Sequence, residues 1–413
     1  MIRGGKARCS MRGSQIRLLT QITLRTEACC PCDMALILSV ALVAGPLNFR
    51  KEVSFAQAPA DAYTGKACDA LLMQSHLQYD APGAEFEQIN PTAIFSLVGP
   101  ELSLVEEEFE RQVSHGPEIV SSIGRYLREG GGKRVRPALL LLAAKAVCGS
   151  AGSSAVRMAT VMEMLHTATL VHDDIIDEAR VRRGRPSVNA TWGNDITVLM
   201  GDWLYMTAFD ITLRERSFEI LDVLTSMTRL MTEGELIQLT MIGNSGITES
   251  EHLDIVRRKT AYMFSACAEV GAIVAKASPE ERRALGRYGL SVGIAFQLID
   301  DLLDFVSTED KLGKPVANDL REGKLTLPLI YLLEEGVHEH RRMIETVIAE
   351  QGFASVAREE LVGLLRENSA LDRARAQARL YAGEATEALD IFPPSDYVEA
   401  LRSVPRFILE RDM

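Results

Sequence analysis

From Asn90 onward, apolar positions recur with helical period almost without interruption. Asn90-Pro91 predicts a helix start, and Gly99-Pro100 breaks the pattern before an amphipathic run over 101–114. Helical pattern resumes over 117–129, then over 138–147, where Pro137 opens the helix. A long apolar helix over 153–177 would measure roughly 37 Å at about 1.5 Å per residue. Further helical runs cover 195–214, 218–241, 248–276, 279–306, 325–335, 341–350, 356–366 and 371–389. No alternating run is long enough to predict a strand. The expectation is an all-α fold, a single large helical bundle.

Composition agrees. The chain of 413 residues is 47% hydrophobic and only 6% aromatic, which suits packed helices with a sizeable core in one or two domains. A net charge of −12 argues against a general nucleic-acid binder, whose electrostatic footprint is basic. The seven cysteines include isolated Cys68, Cys148 and Cys267 and make no disulfide framework, so a reducing, cytoplasmic location is expected.

Residues 1–90 differ. Arg3, Lys6, Arg8, Arg12, Arg17 and Arg25 face the single acid Glu27 in the first 32 positions, a composition resembling a transit peptide. The apolar run over 34–47 is too short to span a bilayer, and it lies well downstream of the basic residues. Cys29, Cys30 and Cys32 lack a second ligand pair at zinc-site distance. Residues 1–90 are therefore expected to be an unstructured extension, an over-long translation start in the plainest reading and organellar targeting in a minority one. Residues 91–413 would form the catalytic domain.

The candidate chemistry lies in two stretches. LHTATLVHDDIIDEARVRRGRPSVN at 165–189 puts Asp173, Asp174 and Asp177 near the end of the long helix, with Asp173 and Asp177 on one face and His166 and Thr169 upstream on it. Arg180, Arg182, Arg183 and Arg185 follow. Clustered carboxylates beside guanidiniums suit Mg²⁺ carrying a phosphate, with the arginine forks holding the remaining charge. FQLIDDLLDF at 296–305 repeats the spacing with Asp300, Asp301 and Asp304 on a mostly apolar helix, where unpaired carboxylates would be costly. Before both, Gly130 to Gly132 make a loop that can approach a ligand closely, followed by Lys133, Arg134 and Arg136 at a helix start, an anion site on physical grounds.

These motifs resemble those of trans-polyprenyl diphosphate synthases, especially the long-chain type that makes quinone side chains. The resemblance rests on GGGKRVRP at 130–137, HTATLVHDDIID at 166–177, RRGRPSVN at 182–189, Lys259-Thr260, FQLIDDLLD at 296–304 and GKPVANDLREGKLTLP at 313–328, and covers about residue 91 to the end. It implies an isoprenoid-synthase bundle with a central substrate cavity. It implies that Lys133, Arg136 and His166 hold the diphosphate of isopentenyl diphosphate, with Arg183 beside them. Lys259, Thr260, Gln297 and Lys314 would face the allylic diphosphate. Asp173, Asp177 and Asp300 would hold Mg²⁺, three ions being expected with substrate bound, while Asp174, Asp301 and Asp304 would support them.

The reaction would be ionisation of an allylic diphosphate, its leaving group neutralised by Mg²⁺, Arg182, Lys259 and Lys314. Attack by the double bond of isopentenyl diphosphate and loss of a proton would add five carbons. Ala168 and Thr169 stand where short-chain relatives carry blocking aromatics, so the path below Asp173 is open, and the helix length fits a product of roughly six to ten isoprene units. The resemblance implies a homodimer, and an apolar product implies peripheral membrane contact on release. Rival readings are a shorter-chain synthase, a class I terpene cyclase, a silent partner subunit and a helical scaffold. The full second motif DDLLD speaks against the cyclase, and the intact basic residues speak against the silent subunit.

Overall fold

Helices make up most of the residues that the computed structural model describes, 91–306 and 316–410. The expectations for residues 1–90 and for Lys314 fall outside the described residues. In chain order the helices are α1 (Pro91–Ser96), α2 (Gly99–Ser114), α3 (Glu118–Glu129), α4 (Val135–Cys148), α5 (Ser153–Ile176) and α6 (Val188–Trp192). Then come α7 (Asn194–Arg214), α8 (Phe218–Met241), α9 (Glu249–Val256), α10 (Tyr262–Val274) and α11 (Pro279–Val306). The C-terminal group is α12 (Asn318–Arg321), α13 (Leu327–Glu334), α14 (His338–Glu350), α15 (Arg358–Glu367), α16 (Ala370–Ala388) and α17 (Asp396–Glu410).

The centre is built from α4 and α5, which are buried all round over 137–145 and 158–165 and so lie in the interior there. Leu140, Leu141, Met158, Met162 and Leu165 are fully buried there, each contributing about 1.5–3 kcal/mol by leaving water. Helix α4 packs on α5 and α10, α10 on α11, and α11 on α16. The last contact uses a stripe of buried alanines on α16, at 370, 374, 378, 382, 385 and 388, whose three- and four-residue spacing keeps them on one face. Thus α5 and α11, the bearers of the two aspartate motifs, are fixed through α4 and α10.

Three features depart from the pattern read in the sequence. A hairpin of two-residue strands, β1 (Val181–Arg182) and β2 (Arg185–Pro186), follows α5, and strands so short show no alternation. The expected 248–276 helix is divided by a π-helical turn, Arg257–Ala261, between α9 and α10; such turns often mark functional sites. Gly234 of α8 lets the turn pack closely, since a Cβ there would stand 2.6 Å from Arg258 Cβ and 3.0 Å from Lys259 N. Helix α17 was not expected beyond 389: it carries Pro405 in its interior, a residue that argues against helix, yet packing against α4, α11 and α16 outweighs this. No described helix is long and apolar enough to cross a membrane.

Candidate active site

Helix α5 ends at Ile176 and Glu178 turns left-handed (φ 50°), so the first aspartate motif straddles the end of the helix. Asp174 is 2% exposed, and Arg182 Nε donates to its Oδ1 at 2.6 Å. Asn189 Nδ2 donates to the Asp174 carbonyl at 3.0 Å. Together they fold the hairpin back onto the helix end. Arg182, expected at a diphosphate, is thus paired with Asp174.

Asp173 and Asp177 look the other way. Burial pushes the Asp173 carboxyl up to about 6, with Lys259 opposing and Glu235 and Asp177 adding. Asp177 Oδ1 accepts from Lys324 Nζ at 3.1 Å, and Lys324 also pairs with Glu322 at 2.7 Å. Burial works against the Lys324 charge, but these carboxylates outweigh it and raise its pKa. Lys324 was not singled out in the sequence, although it lies within the 313–328 motif. Lys259 Nζ is held by Glu235 Oε2 and Gln238 Oε1, each at 2.6 Å. Glu235 and Gln238, mid-helix in α8, carried no chemical signal in the sequence.

On α11 the three aspartates have three environments. Asp300 is half-buried and lines the main cavity. Asp301, 4% exposed, accepts from Gln297 Nε2 at 2.9 Å, and Gln297 Oε1 accepts from Thr260 Oγ1 at 2.9 Å. His252 Nε2 stands 3.2 Å from the other Asp301 oxygen. Asp304 is 1% exposed; its Oδ2 accepts from the Asp319 amide at 3.1 Å and its carbonyl from the Ala317 amide at 2.7 Å, which ties the returning chain to α11.

The basic wall rises from the glycine loop before α4. Arg136 Nη1 lies 3.1 Å from His166 Nε2, and its guanidinium sits 5.0 Å from the centre of the Phe264 ring. Burial, with Arg136, Arg183, Arg182 and Arg134 adding to it, holds the His166 pKa well below its usual value, so the ring is neutral. A guanidinium can only donate, so Nε2 is the acceptor and Nδ1 carries the hydrogen, a donor aimed elsewhere. Burial also lowers the pKa of Arg136 and Arg183. Lys133, Arg136, His166 and Arg183 line a cavity of about 680 Å³ together with Thr260, Gln297 and Asp300. A second cavity of about 130 Å³ shares Thr260 and Gln297 and adds Lys259, Asp301 and Lys324.

The donor set fits a hard divalent ion shared with a phosphate. Among the described residues no three acidic, histidine or cysteine side chains group tightly enough to hold a metal by themselves. Mg²⁺ is ordinarily held by one or two carboxylates plus substrate phosphates. Of the residues expected to set chain length, Ala168 is fully buried and Thr169 donates its hydroxyl to the His166 carbonyl at 2.7 Å.

Comparison with known proteins gives a consistent picture. Residues 117–362 match the family model described as Polyprenyl synthetase. The chain is 37% identical over 326 residues to the octaprenyl diphosphate synthase of Escherichia coli strain K12, covering 79% of this chain and 99% of that one. It is 39% identical to an all-trans-nonaprenyl-diphosphate synthase (geranyl-diphosphate specific) of Rhodobacter capsulatus, covering 77% and 97%. Among solved structures, a polyprenyl synthase of Caulobacter crescentus complexed with calcium and isoprenyl diphosphate superposes with a TM-score of 0.74 at 31% identity, covering 79% and 100%.

Proposed function

Because the chain belongs to the polyprenyl synthetase family, we propose that it is a trans-prenyltransferase that condenses isopentenyl diphosphate head-to-tail onto an allylic diphosphate, farnesyl or geranylgeranyl. The product would be a long all-trans polyprenyl diphosphate for quinone side chains. One observation carries this reading: a single cavity has Lys133, Arg136, His166 and Arg183 in its lining together with Asp300, Gln297 and Thr260. That pairing suits two diphosphates, one held by cations and one through metal. The catalytic domain would be 91–413, with 1–90 an extension.

Asp173, Asp177 and Asp300 would hold Mg²⁺, supported by Asp174, Asp301 and Asp304; bound there it supplies charge neutralisation for the leaving diphosphate, three ions with substrate being the finer expectation. The chain's own cations do the rest. Lys259 is held ready by Glu235 and Gln238, and Lys324 by Asp177 and Glu322, so each can turn to an arriving diphosphate without crossing bulk water. Lys314 is expected to join them. Arg136 and the Nδ1–H of neutral His166 would donate to isopentenyl diphosphate, and Lys133 and Arg183 would hold its remaining charge. Gln297, fixed between Thr260 and Asp301, keeps Asp301 oriented. The small side chains of Ala168 and Thr169 support a long product.

An isologous homodimer is proposed through α7. Leu199, Met206 and Leu213, at seven-residue spacing, are 66%, 64% and 53% exposed, and Phe218 just beyond is 82% exposed. An exposed apolar stripe of that length marks an association surface. Peripheral membrane contact for product release completes the reading. The test is Mg²⁺-dependent release of diphosphate from a mixture of both substrates. Release that needs both substrates supports condensation; release from the allylic substrate alone, with a cyclic hydrocarbon formed, would contradict it.

A further inference from the structure

Arg134 stands between Lys133 and Arg136, yet its guanidinium is already engaged by two carboxylates. Nε and Nη2 meet the two oxygens of Glu106 from α2, and Nη1 meets Oε1 of Glu163 from α5. Glu163 is 7% exposed and lines the same cavity as Lys133, Arg136, His166 and Arg183. A buried acid in a wall built for anions works against anion binding unless its charge is taken up within the protein. Arg134 takes it up.

The backbone at Arg134 is equally unusual. It precedes α4 in the left-handed region (φ 50°, ψ 34°), a conformation that side-chain-bearing residues avoid. Gly132 packs beneath the clamp: a Cβ there would lie 3.0 Å from Arg134 Nη1 and 3.2 Å from Arg183 Nη1. Together with Gly131 (φ 68°), Arg134 shapes the turn between the loop that carries Lys133 and the helix that carries Arg136.

We propose that Arg134 is a positioning residue, whose clamp by Glu106 and Glu163 fixes the 130–136 turn and so aims Lys133 and Arg136 at the diphosphate of isopentenyl diphosphate. Both carboxylates engage the guanidinium, so Arg134 offsets Glu163 rather than pairing with the anion itself, and beyond that charge balance its contribution is geometric. The inference rests on the reading of this wall as the isopentenyl diphosphate site.

The experiment compares Arg134→Gly, Glu163→Gln and Arg136→Ala in the full chain. Steady-state KM is measured for each substrate, and isopentenyl diphosphate binding is measured by calorimetry without Mg²⁺. Glycine accepts the left-handed backbone without strain, so Arg134→Gly removes the clamp while leaving Glu106 and Glu163 unpaired. It should raise both KM and Kd for isopentenyl diphosphate about ten-fold, the equivalent of about 1.4 kcal/mol. The allylic KM and the kcat at saturating isopentenyl diphosphate should stay within about two-fold. Glu163→Gln should shift the same two quantities less, since one hydrogen bond survives. That variant separates charge from geometry: tighter isopentenyl diphosphate binding in it would mean that charge decides and would overturn the proposal. Wild-type behaviour of Arg134→Gly would show that only the backbone conformation matters and would overturn the proposal. So would an equal loss for both substrates. If Arg136→Ala leaves binding of isopentenyl diphosphate unchanged, the wall itself is misread and the inference falls with it; a weakened Arg136→Ala beside an unaffected Arg134→Gly overturns the clamp alone.

Discussion

Replacing Asp173 with asparagine should stabilise the metal-free protein while abolishing turnover. Burial lifts the Asp173 carboxyl from an ordinary 3.8 to about 6, Glu235 and Asp177 adding to the lift that Lys259 and Arg182 oppose. A folded state that binds a proton more tightly than the unfolded chain loses stability as pH rises between the two values. Below about pH 4 the group is protonated in both states and contributes nothing; above about pH 6 the full penalty applies. About two units at 1.36 kcal/mol each give a penalty of about 3 kcal/mol. In a chain of this size that is roughly 5 °C in melting temperature. Thermal unfolding in EDTA from pH 4 to 8 reads it directly. The Asp173→Asn and wild-type curves should coincide near pH 4, with the variant about 5 °C higher at pH 7 to 8. Mg²⁺ with inorganic diphosphate should then raise the wild type and leave the variant nearly unmoved. A variant melting at or below the wild type at pH 8 without metal would mean that the protein already satisfies this carboxylate, and the cation-site reading would fail.

Three further outcomes are expected. Arg182→Ala leaves Asp174 buried without its partner and should cost about 3 kcal/mol, the low end for a buried pair because Arg182 keeps 35% of its side chain exposed. Combined with Asp174→Asn it should show a coupling of at least about 1 kcal/mol in denaturant unfolding, and simple additivity would refute the pairing. Ala168→Phe should shorten the product, because Ala168 lies roughly 7.5 Å, five residues, along α5 from Asp173; an unchanged product with folded protein refutes the steric reading. Leu199→Glu with Met206→Glu should halve the mass measured by light scattering, and an unaltered mass would remove α7 from the interface.

The long helices were legible because their apolar period is long and capped. Phe218–Met241 and Pro279–Val306 coincide with the predicted runs. What escaped depends on tertiary context. The π-helical turn at Arg257–Ala261 preserves helical composition, and only its packing against Gly234 distinguishes it. Helix α17 survives an internal proline through contacts that no local pattern records. At the site, the repeated DDxxD spacing exposed six aspartates at once. The spacing alone did not show which partner meets each one: Arg182 for Asp174, Gln297 one turn earlier for Asp301 and the Asp319 amide for Asp304. Lys324, Glu235 and Arg134 belong to the same class. Each looks like an ordinary charged residue until its partner, distant in sequence, is brought beside it.

The central claim is that this chain joins isopentenyl units to an allylic primer and stops at a long product. The most direct test is to incubate the full chain with farnesyl diphosphate, isopentenyl diphosphate and Mg²⁺ and to weigh the products by mass spectrometry. A ladder of all-trans prenyl diphosphates ending at one dominant long species is the predicted result. A cyclic hydrocarbon, or folded protein that leaves isopentenyl diphosphate unconsumed, would contradict it.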